Sequence, residues 1–218
     1  MPTASHLLRA HLAPHIHMAW RDADIVVLDV AADSYACLVD ASTVLRSGPE
    51  AGVILASDPD VIEDLSQAGW LVDEPSSHRT LIAPSSVLQP LRSTNPALPF
   101  GALLNGLGST VRFRKTALPG LIRLVAARNA RLKRSDPLAA AQALAAFETV
   151  QPWLPFAGDC LQRAFLLHAH LHACGLASDW VFGVRTWPFL AHCWIQIDDV
   201  VLGETLERAR AFTPILRV

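Results

Sequence analysis

Charge is scarce in this chain. Only 17% of its 218 residues are Asp, Glu, Lys or Arg, and the net charge is −2. A balance so near neutrality gives no global attraction to nucleic acid or to a membrane surface, so neither is expected as a partner. Long apolar runs are missing too, and none approaches the roughly 20 residues of a membrane span. The N-terminus, Met1-Pro2-Thr3-Ala4-Ser5-His6, lacks the basic-then-apolar order of a secretory signal. Cysteine is sparse: Cys37, Cys160, Cys174 and Cys193 have neither the density of a disulfide scaffold nor a zinc spacing. These absences predict a reduced, cytoplasmic protein. There is no Gly-rich phosphate loop, so no nucleotide site or other cofactor is expected. No internal repeat is evident. What is abundant is apolar residue, at 51%, enough for a sizeable core.

The pattern along the chain predicts an α+β protein in two parts. Residues 15–39 resemble a small meander, with strands over His15–Trp20, Asp24–Val30 and Tyr35–Val39. Short helices are expected over Ala41–Arg46, Pro49–Ala56 and Asp60–Ala68. The last of these has Asp58 or Asp60 as cap, Pro59 in its first turn, Gly69 as stop and an apolar stripe of Val61, Ile62, Leu65 and Ala68. Trp70-Leu71-Val72 closes this three-strand, three-helix unit, residues 1–75. Residues 76–100 form a Pro/Ser-rich linker with a strand-like patch at Thr80–Ala83. Residues 101–218 form a second domain of helices followed by strands, with residues 101–150 helical in pattern. Its helices are expected at Leu118–Leu132, Asp136–Val150 and Asp159–Ala173, and its strands at Leu176–Val184 and around His192.

Within that domain two residues carry chemistry. Gly158 frees the backbone, Asp159 caps, and Cys160 falls in the first turn of an apolar helix. A helix start and a nearby imidazole lower a thiol pKa from about 8.5 and so activate it. Thirty-two positions on, His192 lies in the strand-like Ala191-His192-Cys193-Trp194-Ile195-Gln196-Ile197. An acid should then orient the imidazole, and Asp198, Asp199 and Glu204 all follow. Taken singly, Cys160 fits a buried structural cysteine and His192 a half-buried strand histidine. Their joint order is that of papain-like and transglutaminase-like enzymes.

The motifs together resemble a family. Cys160-Leu161 opening an apolar helix, Gly175-Leu176-Ala177, a strand ending Phe182-Gly183-Val184-Arg185, Ala191-His192-Cys193-Trp194-Ile195-Gln196 and Val201-Leu202-Gly203-Glu204 look like the lasso-peptide leader peptidases. These are the transglutaminase-like B proteins of lasso-peptide maturation. The family usually shows His-Ala-Trp-Val-Glu, where this chain has Cys193 and Gln196 at the second and fifth positions. The resemblance covers about residues 100–218. It implies a papain-like cysteine peptidase that removes the leader from a ribosomally made precursor, with Cys160 as nucleophile and His192 as base. It points to Glu204 as the acid, because family members carry one about a dozen residues after the histidine. It also implies a partner, a separate ATP-using, asparagine-synthetase-like cyclase. The N-terminal unit resembles the peptide-recognition element that binds leaders. A leader would add as a strand at Tyr35–Val39 and pack on the helix over Asp60–Ala68, touching Tyr35, Leu38, Val61 and Leu65. An acyl-transferring transglutaminase and a non-catalytic leader-binding adaptor are the alternatives.

Three further expectations follow from the residues. His168 and His172 are spaced like metal ligands, yet no acid or cysteine completes a set, so no metal and a solvated polar face are expected. Residues 112–134 hold eight of the eighteen Lys and Arg with no acid, which as a default is a solvated helix face. Finally, a two-residue turn at Asp198-Asp199 would leave Glu204 facing away from His192, so a three-residue turn or a bulge is expected.

Overall fold

The structure is a computed structural model, and it describes residues 7–130, 132, 136–155 and 159–218. The N-terminal hexapeptide, Gly158 and the basic residues Arg131, Lys133 and Arg134 lie outside the described residues. The chain divides into two compact units, Met1–Leu81 and Ile82–Val218.

The first unit is richer in strand than its sequence suggests. Its strands are β1 (Leu8–Leu12), β2 (Ile16–Arg21), β3 (Asp24–Asp29), β4 (Ser34–Leu38), β5 (Leu45–Ser47), β6 (Val53–Ala56) and β7 (Leu71–Val72), with one α-helix, α1 (Pro59–Gln67). The expected meander is present as the antiparallel sheet β2-β3-β4. A two-residue Asp22-Ala23 turn joins Arg21 to Asp24, with Asp22 in the left-handed region at φ 55°. The Asp29 carboxylate accepts from the Ala31 and Ala32 N–H groups and shapes the next turn. A second sheet, β5-β6-β1-β7, stands where two helices were expected. Gly52 at φ +77° falls inside the expected helix over Pro49–Ala56 and breaks it. Val53, Ile54 and Ala56 bury instead as a strand paired with both β1 and β5. The expected helix over Ala41–Arg46 shrinks to one 3-10 turn, Ala41–Thr43. The helix α1 forms as its sequence dictates. Asp58 accepts from the Asp60 N–H at 3.0 Å, Pro59 opens the first turn, and Gly69 ends it at φ +73°.

In the second unit a five-stranded sheet runs in the order β12-β9-β10-β11-β8. Its strands are β8 (Ser86–Val87), β9 (Asp179–Arg185), β10 (Leu190–Ile197), β11 (Val200–Leu202) and β12 (Thr213–Arg217). Its helices are α2 (Ala97–Lys115), α3 (Leu118–Asn129), α4 (Pro137–Val150), α5 (Cys160–Ala173) and the short α6 (Leu206–Arg210). Asp136 caps α4 through the Leu138 N–H, and Pro137 follows it. The helix α5 packs against α2 and α4 and also against β9 and β10, so it is central to the unit. Trp180 and Trp194 are fully buried beside it on those strands. The strand-like patch expected at Thr80–Ala83 is not a strand. The chain first pairs at β8, which runs parallel to β11.

Burial of α5 corrects one expectation. Of the pair expected on a solvated face, His168 is fully buried and His172 is half-buried; His170, between them, is a core residue too. The helix is covered on several sides, so its polar side chains have nowhere wet to go. His168 shares a hydrogen bond at 3.1 Å with the Ser178 hydroxyl, and His170 stacks on Phe147. Burial, with Arg128 and His172 nearby, pushes the His168 pKa down to about 3, and burial lowers that of His170.

Candidate active site

The helix α5 begins at Cys160 because Asp159 leaves the helix in extended geometry and its carboxylate accepts from the Leu161 N–H at 2.8 Å. The Cys160 sulfur therefore sits at the positive end of the helix dipole. Across from it, His192 projects from β10, the middle strand of the sheet. Cys160, His192, Cys193 and Glu204 line one small cavity of about 20 Å³, together with Arg163 and Trp194.

Two neighbours act on the Cys160 sulfur through three groups. The Cys193 thiol, the His192 ring and the Cys193 backbone all hydrogen-bond it, and they push its pKa down to about 3 against the opposing effect of partial burial. Cys193 itself is fully buried. Burial, with Cys160 beside it, holds its pKa well above the usual thiol range. The contacts favour a thiolate at Cys160 once its proton has passed to His192, with Cys193 as a protonated thiol donor.

Glu204 lies 3.0 Å from His192 Nε2. With the imidazole neutral, Nε2–H donates to this carboxylate, and Nδ1 is left to face the thiol chemistry. The carboxylate is itself held: Oε1 accepts from the Thr205 N–H at 2.9 Å, and Arg208 Nε lies 3.5 Å from Oε2. The ring of His192 is packed by Phe212, at 5.1 Å between centroids, and by Trp194 at 6.1 Å.

The route by which Glu204 arrives differs from the expected one. The hairpin has a regular two-residue turn, with Ile197 paired to Val200 and Asp198 at φ 53°. No bulge shifts the register. Instead the ladder ends at the Ile195–Leu202 pair, and Gly203 at φ +68° breaks the alternation of faces. Beyond that glycine the strand rule no longer applies, and the carboxylate swings onto the histidine. A Cβ at Gly203 would also meet Leu167 at 3.1 Å, so the turn is tight as well as left-handed. Asp198 and Asp199 stay in the turn, where the Asp199 carboxylate accepts from the Ser85 hydroxyl. Gln196 is fully buried, accepting from Trp194 Nε1 at 2.9 Å and donating to the Ile82 carbonyl at 3.1 Å. A glutamate there would be a buried charge.

Two polar side chains upstream of Cys160, those of Gln151 and Trp153, differ in position. Trp153 is 79% exposed, whereas the Gln151 side chain accepts from Arg163 Nε at 3.5 Å and so stands next to the cavity. Arg163, Cys193, Phe212 and Gly203 are site residues that sequence reasoning missed. The only signal for Cys193 was its departure from the alanine usual in the family motif. Among the described residues, no group of three or more His, Cys, Asp and Glu side chains could hold a metal ion. No helix among them is long and apolar enough to cross a membrane.

In the first unit, Leu38, Val61 and Leu65 share one hydrophobic cluster, and Tyr35 lies outside it. Leu65 is 5% exposed, so it serves the core and not a surface groove. The helix α1 packs on β1, β6 and β7, while β4 is the outer strand of the other sheet.

A cysteine at a helix start, an imidazole on the central strand and a carboxylate on that imidazole are the parts that cysteine-nucleophile chemistry requires. The comparison of sequences agrees: residues 106–217, just over half of the chain, match the family model of the transglutaminase-like superfamily, and the chain belongs to that superfamily. No curated protein and no solved structure matches the chain.

Proposed function

We propose that this protein is a cysteine peptidase that removes the leader from a lasso-peptide precursor. The observation that carries the reading is the 3.0 Å contact of Glu204 with His192 Nε2, beside a Cys160 whose pKa is about 3. Cys160 Sγ attacks the carbonyl carbon of the scissile bond. The developing oxyanion is met by the Cys160 backbone N–H at the helix start. The Cys160 proton, taken up at His192 Nδ1, passes to the leaving amine as the C–N bond breaks, and a thioester remains on Cys160. Water, deprotonated by His192, then releases the acid and restores the thiol. Glu204 fixes the histidine tautomer through both steps.

The first unit is the leader-binding element in this reading. The outer position of β4 in its sheet supports strand addition there. Leu38 and Val61, half-buried at the margin of the cluster, suit contact with leader side chains, whereas the burial of Leu65 makes it a support for them. The cleaved product passes to an ATP-using cyclase that closes the ring, and the peptidase needs no cofactor of its own.

The test is mass spectrometry of a lasso precursor after incubation with this protein and its cyclase. Free leader, appearing with the native chain and not with Cys160→Ala, is expected. Intact precursor under conditions where the native chain binds it would overturn the peptidase assignment.

A further inference from the structure

The helix α2 is amphipathic in the wrong sense. The side it buries carries small or polar residues, Ala102, Gly106, Ser109 and Thr110. The side it exposes carries Phe100 at 64%, Leu104 at 56%, Leu107 at 42% and Val111 at 54%. Those four follow a 4-3-4 spacing, which is the a/d seam of a helix that packs against another helix. Scattered exposed apolar residues are ordinary, but a continuous seam of large ones marks an interaction surface.

The glycines of α2 give a second, independent sign. Gly101 and Gly108 are exposed and seven residues apart, so they occupy the same heptad position along one flank of the seam. A Cβ at either would meet nothing within 4 Å. Neither turns the chain, since neither has a positive φ. Glycine inside an exposed helix is destabilising relative to alanine, and nothing among the described residues requires it here. Close approach of another backbone would. Gly106, by contrast, is explained internally, because a Cβ there would strike Leu154 at 2.6 Å.

Charge says what kind of helix fits. The seam runs into Arg112, Arg114 and Lys115 at the C-terminal end of α2. No acid occurs between Glu74 and Asp136, although the whole chain is slightly acidic. A second copy of α2 would therefore bring only cations to the contact. Leu104 also borders an open cleft of about 670 Å³ between α2, α4 and α5, which has room for a bulky side chain.

We propose that the outer face of α2 is the docking site for an amphipathic helix of a partner protein, with an apolar a/d seam and acidic flanking positions. The probe is a labelled synthetic helix about three heptads long, with leucine at a and d and glutamate at e and g. Its counterpart carries lysine at e and g. Anisotropy titration of the full chain should show binding of the acidic helix at least about tenfold tighter than the basic one. The double variant Leu104→Asp/Leu107→Asp should weaken it by a further factor of about ten, and Gly108→Leu should weaken it while leaving circular dichroism native-like. Equal affinity for the two peptides, no binding of either, or binding unchanged in both variants would overturn the proposal. So would dimerisation of the native chain abolished by the double variant, which assigns the face to a second copy. Sedimentation with phosphatidylglycerol vesicles abolished in the same way would assign it to a membrane and equally overturn it.

Discussion

Glu204→Gln is the substitution on which the geometry speaks most sharply. The volume is unchanged, and the amide oxygen can still accept from the Thr205 N–H, now 2.9 Å from Oε1. What changes is the group offered to His192 Nε2 at 3.0 Å. An amide that keeps its oxygen on Thr205 presents N–H to the ring. The ring then carries its proton on Nδ1, where it cannot accept one from Cys160. The loss combines a charge-assisted hydrogen bond with the wrong tautomer, and such changes cost about 10²- to 10⁴-fold in rate. The assay is single-turnover cleavage of the precursor, followed against the alkylation rate of Cys160 by iodoacetamide. Both should fall, with the fold unchanged by circular dichroism. Asp198→Asn should be mild, because asparagine tolerates the left-handed φ of 53° there. Asp199→Asn should be mild as well, since its carboxylate serves Ser85 and not His192. A Glu204→Gln protein within about threefold of the native rate would refute the reasoning that this carboxylate sets the tautomer.

Two other outcomes can be measured without a substrate. Cys193→Ala removes the strongest hydrogen-bond donor to Cys160, so the inflection in the alkylation rate should move up from about 3; an unmoved inflection would mean that the Cys193 thiol does not act on Cys160. Acid should destabilise both units, because His17 and His168 have folded pKa values lowered to about 3, mainly by burial. Above an unfolded pKa of about 6.5 both states are neutral and nothing is lost; below it the unfolded chain takes protons that the folded chain refuses, at about 2 kcal/mol for each histidine by pH 5. Urea midpoints should fall between pH 7 and pH 5, and His17→Leu should flatten part of that slope. A midpoint constant over the same range would contradict the burial of these rings as neutral groups.

Much of the local structure was legible in the sequence where a residue acts on its own neighbours. Asp58 with Pro59, Asp136 with Pro137, and Asp159 mark helix starts by capping chemistry, and α1, α4 and α5 begin where they say. The strands β2, β3 and β4 follow from alternation and from Asp-rich turns. What tertiary pairing decides was not legible. Residues 53–56 become a strand because β1 and β5 flank them, and their short apolar run has no helix-or-strand signature of its own. Residues 101–150 read as helical, but the bounds of α2 within them were not legible, because its buried face is small and its exposed face is apolar, the reverse of the usual pattern. His168 looks solvated in sequence because burial on several sides of one helix leaves no periodic mark. At the site, the order of Cys160 and His192 was readable, and Glu204 came from family resemblance. The turn leading to it was not readable, because the left-handed φ of Gly203 ends the strand before its face rule can apply. Phe212 reaches His192 from the end of α6, with nothing in the local sequence to announce it.

The central claim is that Cys160 forms the covalent intermediate. Its most direct test is intact-mass spectrometry of the protein, quenched in acid early in a reaction with a precursor or its activated ester analogue, followed by peptide mapping. An adduct of leader mass on Cys160, sensitive to hydroxylamine and absent in Cys160→Ala, is the expected result. Cleavage that proceeds with no adduct on Cys160 and persists in a folded Cys160→Ala protein would contradict the account.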